Sequence, residues 1–171
     1  MTAVLSGRDI RSLIEQEPPL IEGYTDLEAQ VQPNGFDLSL RDIAVPQNPG
    51  QIAAENSRRI VSDLEPLAFD ETGFASLANG IYIITYNEIV HLPTNLMALG
   101  RPRSSLLRCG VTVGTAVWDA GYNGRSQSLL VVYHPQGFRI QKNARVMQLV
   151  FYTLTGETEG YKGAYQRENI E

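Results

Sequence analysis

Apolar positions in this chain recur mostly at a spacing of two, and at helical spacing in only one stretch. There Ile10, Leu13 and Ile14 share one face behind Ser6, a residue type that caps helices by accepting a hydrogen bond from the first turn. The pattern predicts a helix beginning at Gly7 and stopped by Pro18-Pro19, because proline lacks an amide donor and clashes with the preceding turn. After Asn34-Gly35, the residues Phe36, Leu38 and Leu40 alternate with Asp37 and Ser39, which predicts a strand with one apolar face. Apolar, mostly β-branched or aromatic runs at 80–90, 96–99, 111–118, 128–133 and 146–154 predict further strands, as does the alternation at 138–141. His134-Pro-Gln-Gly137 and Lys142-Asn-Ala144 supply turns, and a helical turn is expected at 104–109. Many short strands and one short N-terminal helix predict a mainly β fold, a barrel or sandwich with jelly-roll-like topology.

Residues 41–79 break this rhythm with Pro46, Pro49, Gly50 and Pro66. A structureless loop of that length is unusual in a compact domain, so one or two edge strands, or an arm reaching a neighbouring subunit, are expected. The tail, 157–171, is polar and glycine-rich but carries Tyr161 and Tyr165. It cannot form a core, and reads either as a frayed end or as a lid ordering over a ligand. With 171 residues, the chain is expected to be a single domain, 1–171.

Charge and cysteine usage narrow the function classes. The formal charge of −5 argues against a nucleic-acid binder, yet three of the fourteen basic residues fall between Arg101 and Arg108. One cysteine, Cys109, permits no intrachain disulfide. No signal peptide or membrane span is expected, so the reading is a cytoplasmic protein. The two histidines and single cysteine do not make the His/Cys/Cys set of a zinc nucleobase deaminase.

The candidate chemistry lies in two neighbouring segments. Arg103-Ser104-Ser105 and Arg108 combine forked cations with hydroxyls, a combination suited to phosphates; Ser104 equally suits a helix cap. Asp119 follows an apolar run at a turn, where it is either a general base for water or the start of an Asx-turn. Tyr122 either packs on a sugar, disfavouring a 2′-hydroxyl, or is a half-buried strand residue. Gln148, inside an apolar strand, must find partners: an attacking water, a phosphate, or a polar seam. Asp37 either holds a water of hydrated Mg²⁺ or sits on a strand surface.

Taken in order, five blocks resemble the motifs of the dUTPase/dCTP deaminase superfamily, most closely its archaeal-type dUTPases. They are Asn34-Gly-Phe-Asp-Leu38, Pro102-Arg-Ser-Ser-Leu-Leu-Arg108, Ala116-Val-Trp-Asp-Ala-Gly-Tyr-Asn-Gly124, Asn143-Ala-Arg-Val-Met-Gln-Leu-Val-Phe151 and the tail Glu159-Gly-Tyr-Lys-Gly-Ala-Tyr-Gln-Arg-Glu168. The resemblance implies a distorted jelly roll assembled as a homotrimer with active sites between subunits. It implies a deoxynucleoside triphosphate, dUTP, bound with Mg²⁺ held mainly by phosphate oxygens and water. By position, Arg103, Ser104, Ser105 and Arg108 would hold phosphates, Asp119 would activate water, and Tyr122 would face the deoxyribose. Gln148 would bind phosphate or the water, and Tyr161, Tyr165 and Gln166 would close over the ligand.

One departure separates the activities of that superfamily. Its deaminases carry a glutamate on the strand after the third block, whereas here Gly124-Arg-Ser-Gln-Ser-Leu-Leu-Val-Val-Tyr133 contains no acidic residue and Leu129 or Leu130 takes the place. Losing such an acid/base group costs roughly 10²–10⁴-fold in proton transfer. The expectation is therefore hydrolysis of dUTP to dUMP and pyrophosphate; a dCTP deaminase and a non-catalytic nucleotide-binding β-trimer are the alternatives. The tail departs too: Ala164 stands where many deaminases have a lysine, leaving Lys162 or Arg167 to supply a charge.

Overall fold

The computed structural model describes residues 3–170; Met1, Thr2 and Glu171, the outermost residues of the N-terminal stretch and tail read above, lie outside the described residues. Ser6 caps α1 (Gly7–Ile14) as its position predicts. Its hydroxyl accepts from Asp9 N at 3.3 Å, and Asp9 Oδ2 accepts from Ser6 N at 3.0 Å. β1 (Ile21–Glu22), α2 (Leu27–Gln30) and β2 (Val31–Gln32) follow. The pattern does not predict α2, because one turn is too short to show a period. Its local sign is Asp26, whose carboxylate accepts from Ala29 N at 3.0 Å.

The remaining elements are β3 (Gly35–Pro46), β4 (Leu64–Leu67), β5 (Phe74–Leu77), β6 (Gly80–Tyr86), β7 (Ile89–His91), β8 (Leu96–Pro102), α3 (Ser104–Arg108), β9 (Val111–Gly114), β10 (Val117–Trp118), β11 (Asn123–Gly124), β12 (Gln127–Val132), β13 (Phe138–Gln141) and β14 (Arg145–Thr153). The main sheet runs β10-β8-β14-β3-β6-β12-β9, with β1-β7-β11 a small sheet and β13 paired to β5. Bulges at Leu40/Asp42 and Arg145/Met147 bend its central strands. The result is a distorted, mainly antiparallel jelly roll around Phe36, Leu38, Leu40, Ile84, Leu130, Leu149 and Phe151, all buried.

The apolar run 111–118, expected as one strand, is two. β9 and β10 take opposite ends of the main sheet, yet only three residue steps separate Gly114 from Val117. Three steps of chain reach about 11 Å. The sheet must therefore curl until its two edges nearly meet, leaving a seam between them. Local alternation cannot say which edge each half of the run joins.

Residues 41–79 contain the expected edge elements: β4 pairs with β3, and β5 with β13. Between β3 and β4 an arm folds back through the Gln51–Ile60 bridge and leaves Ile52 85% exposed. No helix of the described residues is long and apolar enough to cross a membrane.

The polar face of β3 is not a surface, which corrects the solvent-facing reading of Asp37. Asp37 is 1% and Ser39 0% exposed. Ser39 donates through its backbone N to Glu88 Oε2 at 2.9 Å and through its hydroxyl to Glu88 Oε1 at 2.6 Å, and Gln30 Nε2 donates to the same Oε1 at 2.6 Å. Gln30 also donates to the Asp37 carbonyl, so this network fixes the backbone at Asp37. Burial pushes the Glu88 carboxyl above its ordinary range, opposed by these hydrogen bonds. Glu88→Gln should lower unfolding stability by about 1–3 kcal/mol, because its NH₂ would face donors that now find acceptors. Urea titration of the two proteins measures this.

Candidate active site

The seam of the curled sheet opens into a pocket of about 590 Å³. Gly114, Val117 and Trp118 line it from the two sheet edges, Ser126–Leu129 from the following strand, and Tyr161, Tyr165 and Glu168 from the tail. Trp118 Nε1 donates to Ser126 Oγ at 2.8 Å, which ties the end of β10 to the residue before β12. Asp119 stands at the rim of this pocket and of a smaller recess beside it. It is exposed, and its carboxylate accepts no hydrogen bond from any described residue. The turn is closed by the backbone alone, Tyr122 N donating to Asp119 O at 3.0 Å. This overturns the Asx-turn reading, since the side chain does not hold the turn together.

Tyr122 is 6% exposed, with its ring in the pocket wall. Its hydroxyl donates to Glu168 Oε1 at 2.8 Å, and burial together with the Glu168 carboxylate pushes its pKa up. Burial likewise raises the Glu168 carboxyl, against the opposing pull of the Tyr122 hydrogen bond. The tail lies along 120–125. Tyr161 N donates to Ala120 O at 2.8 Å, Arg167 N to Asn123 O at 2.7 Å, and Arg125 N to Glu168 O at 2.9 Å. Gln166 spends its amide on this docking, accepting from Asn123 N and donating to Gly121 O, each at 2.9 Å. Tyr165 lies under the Arg59 guanidinium of the arm, 5.6 Å from its ring centre. Lys162 pairs with Glu159 at 2.9 Å on the surface.

The cationic residues gather elsewhere. Arg103 is the N-cap of α3, so Ser104 is not the cap, and Ser104, Ser105 and Arg108 are exposed. Arg103 Nε lies 3.2 Å and Arg145 Nη1 3.3 Å from Asp37 Oδ2. Burial raises the Asp37 pKa more than the two arginines lower it. Gln148 stands opposite Asp37 on one side and Arg101 on the other, with its amide over Gly35, where a Cβ would fall 2.6 Å from Nε2. These residues are far from Asp119 within one chain. Trp118 pairs with Ala98, and the chain onward along β8 and one residue past its end to Arg103 covers roughly 17 Å. The structure thus unites Asp119, Tyr122, Tyr161 and Tyr165 at one pocket, and separately Arg103 and Gln148 beside Asp37.

A family model described as dCTP deaminase-like matches residues 4–154. The chain belongs to the dCTP deaminase-like family. A Methanosarcina mazei protein named probable deoxyuridine 5′-triphosphate nucleotidohydrolase is 54% identical over 168 residues, covering 98% of each chain. A protein of the same name from Archaeoglobus fulgidus is 48% identical over 169 residues, covering 99% of each. The fold matches the solved 2′-deoxycytidine 5′-triphosphate deaminase from Agrobacterium tumefaciens with a TM-score of 0.68 at 23% identity, over 89% of this chain and 48% of that one.

Within the family frame, the structure settles which leucine faces the pocket. Leu129 lines it, whereas Leu130 is fully buried in the core. Two residues with contacts to the site escaped sequence reasoning. Arg145 stands in the fourth block, where a basic residue next to an apolar strand was the available signal. Glu168 had none, since a glutamate in a polar tail is unremarkable until the tail is folded.

Proposed function

We propose that this chain is a dUTP diphosphatase, converting dUTP and water to dUMP and pyrophosphate. The observation that carries the reading is the unengaged Asp119 carboxylate at the rim of a largely apolar pocket whose β12 wall offers Leu129 and no acid. The full-length archaeal relatives named as deoxyuridine triphosphate nucleotidohydrolases support it. Asp119 takes a proton from water as its oxygen attacks the α-phosphorus, and the bond from that phosphorus to the bridging oxygen breaks to release pyrophosphate. Uracil meets the backbone at 127–128, where β12 pairs with β6 alone, and a cytosine amino group there would leave a donor unpaired. Tyr122 faces the deoxyribose, and Tyr161, Tyr165 and Gln166 belong to the closing lid, 157–171, of a single domain.

The substrate is the Mg²⁺ complex of dUTP, the ion held by phosphate oxygens and water. Among the described residues no group of three or more His, Cys, Asp or Glu side chains converges. When bound, the ion neutralises charge on the leaving pyrophosphate.

Arg103, Ser104, Ser105, Arg108 and Gln148 hold the phosphates from a neighbouring subunit of a homotrimer. Two observations support the assembly. The two halves of the site are too far apart within one chain, and beyond the pocket the outer face of β6 and β12 carries the apolar cross-strand pair Ile81–Val131, with Ile81 53% exposed. Light scattering after gel filtration should give three times the 18.9 kDa of the chain. The proposed setting is the cytoplasm.

Deamination has one observation in its favour: the tail brings Glu168 into the pocket wall. Incubating the protein with Mg²⁺ and either dUTP or dCTP, with pyrophosphate and ammonia measured separately, decides the matter. Pyrophosphate from dUTP and no ammonia from dCTP is expected. Ammonia from dCTP would sink the dUTP-only reading, and tight dUTP binding without pyrophosphate would replace the enzyme with a nucleotide-binding trimer.

A further inference from the structure

Tyr122 is gripped from two directions by the tail. Its ring meets that of Tyr161 edge-on, centroids 5.9 Å apart at 66°, and its hydroxyl donates to Glu168 Oε1 at 2.8 Å. Beneath the tip of the ring lies Gly124, where a Cβ would fall 2.5 Å from the Tyr122 hydroxyl oxygen and 3.3 Å from Glu168 Cγ. The phenol and the carboxylate therefore share a space that exists because residue 124 has no side chain. Glu168 is itself held in place: Arg125 N donates to its carbonyl at 2.9 Å, and Asn169 Nδ2 donates to Arg125 O at 2.9 Å.

Steric rejection of an extra hydroxyl works only if the rejecting group cannot yield. We infer that Glu168 is a positioning residue that fixes the pose of the Tyr122 ring, so that discrimination against a 2′-hydroxyl depends on the tail being closed. Glu168 touches no reacting atom and acts through Tyr122. This inference rests on the reading of the pocket as a deoxynucleotide site. It goes further in making sugar selectivity a joint property of the turn after β10 and a tail residue 46 positions away.

The test compares wild type, Glu168→Ala and Glu168→Gln for binding of the α,β-imido analogues of dUTP and UTP with Mg²⁺ by calorimetry. Thermal melting of each variant serves as a folding control. Wild type should prefer the deoxy analogue. Glu168→Ala should cut that preference by roughly tenfold or more, chiefly through gained affinity for the ribo analogue, because removing a steric filter relaxes selectivity. Glu168→Gln should keep the preference, since its amide oxygen still accepts from the Tyr122 hydroxyl. An equal loss of affinity for both analogues in Glu168→Ala overturns the inference and reduces Glu168 to tail packing. A Gln variant as indiscriminate as Ala, or a wild type with no sugar preference, overturns it as well. A wild type that binds neither analogue defeats the underlying reading of the pocket, and is distinguished from these results by the absence of any binding heat.

Discussion

Asp119→Asn should bind the imido analogue of dUTP with wild-type affinity and release pyrophosphate from dUTP roughly 10²–10⁴-fold more slowly. That corresponds to about 3–5 kcal/mol of lost barrier reduction. Asparagine has the shape of aspartate but no basicity, so only proton acceptance is removed. The structure separates this effect from misfolding. The carboxylate holds no hydrogen bond from the described residues, and the turn is closed by Tyr122 N on the Asp119 carbonyl, which the substitution leaves intact. The melting temperature should therefore not move. Steady-state pyrophosphate release with calorimetric binding on the same preparation checks both halves, and retained turnover removes Asp119 as the base.

Asp37→Ala has the largest expected effect on stability. Asp37 is buried, and Arg103 and Arg145 both reach its Oδ2, at 3.2 and 3.3 Å. Without it, two guanidiniums face each other with no counter-charge. Removing one partner from a fully buried ion pair costs about 3–5 kcal/mol. Here the arginine side chains are 29% and 33% exposed, so water screens part of the repulsion and about 2–3 kcal/mol is expected. The double variant Asp37→Ala/Arg145→Ala should recover part of the loss, because the penalty lies in the uncompensated charge. Denaturant titration of the set measures it; a single variant within 0.5 kcal/mol of wild type would show that the arginines find other partners. Arg103 also loses the anchor on its Nε, so affinity for the triphosphate should fall alongside.

Some of this molecule was legible residue by residue. Ser6 and the Ile10/Ile14 stripe announce α1, because capping and helical periodicity are local. Alternation in Phe36–Leu40 announces β3, and the absence of acid in 124–133 was plain before any folding. The misreadings share one cause. Asp37 alternates as a surface residue does, but β14 and α3 bring two arginines over it, and nothing in β3 encodes that covering. The run 111–118 has uniform apolar character, yet its halves join opposite sheet edges. Ser104 looks like a cap, but the chain enters α3 one residue earlier, at Arg103.

The sequence by itself determined the class of fold, the presence of a basic, hydroxyl-rich segment and a carboxylate on a turn, and the absence of an acid on the strand that follows. These are matters of residue type, periodicity and order, which a chain carries whether or not it is folded. Only the tertiary structure decided that the Asp119 carboxylate is unengaged, that Leu129 rather than Leu130 faces the pocket, that Arg103 stands roughly 17 Å along the chain from Ala98, the partner of Trp118, and that Glu168 meets Tyr122. Those are relations between segments distant along the chain. They follow from how far the sheet curls and where the tail docks, which no local pattern specifies.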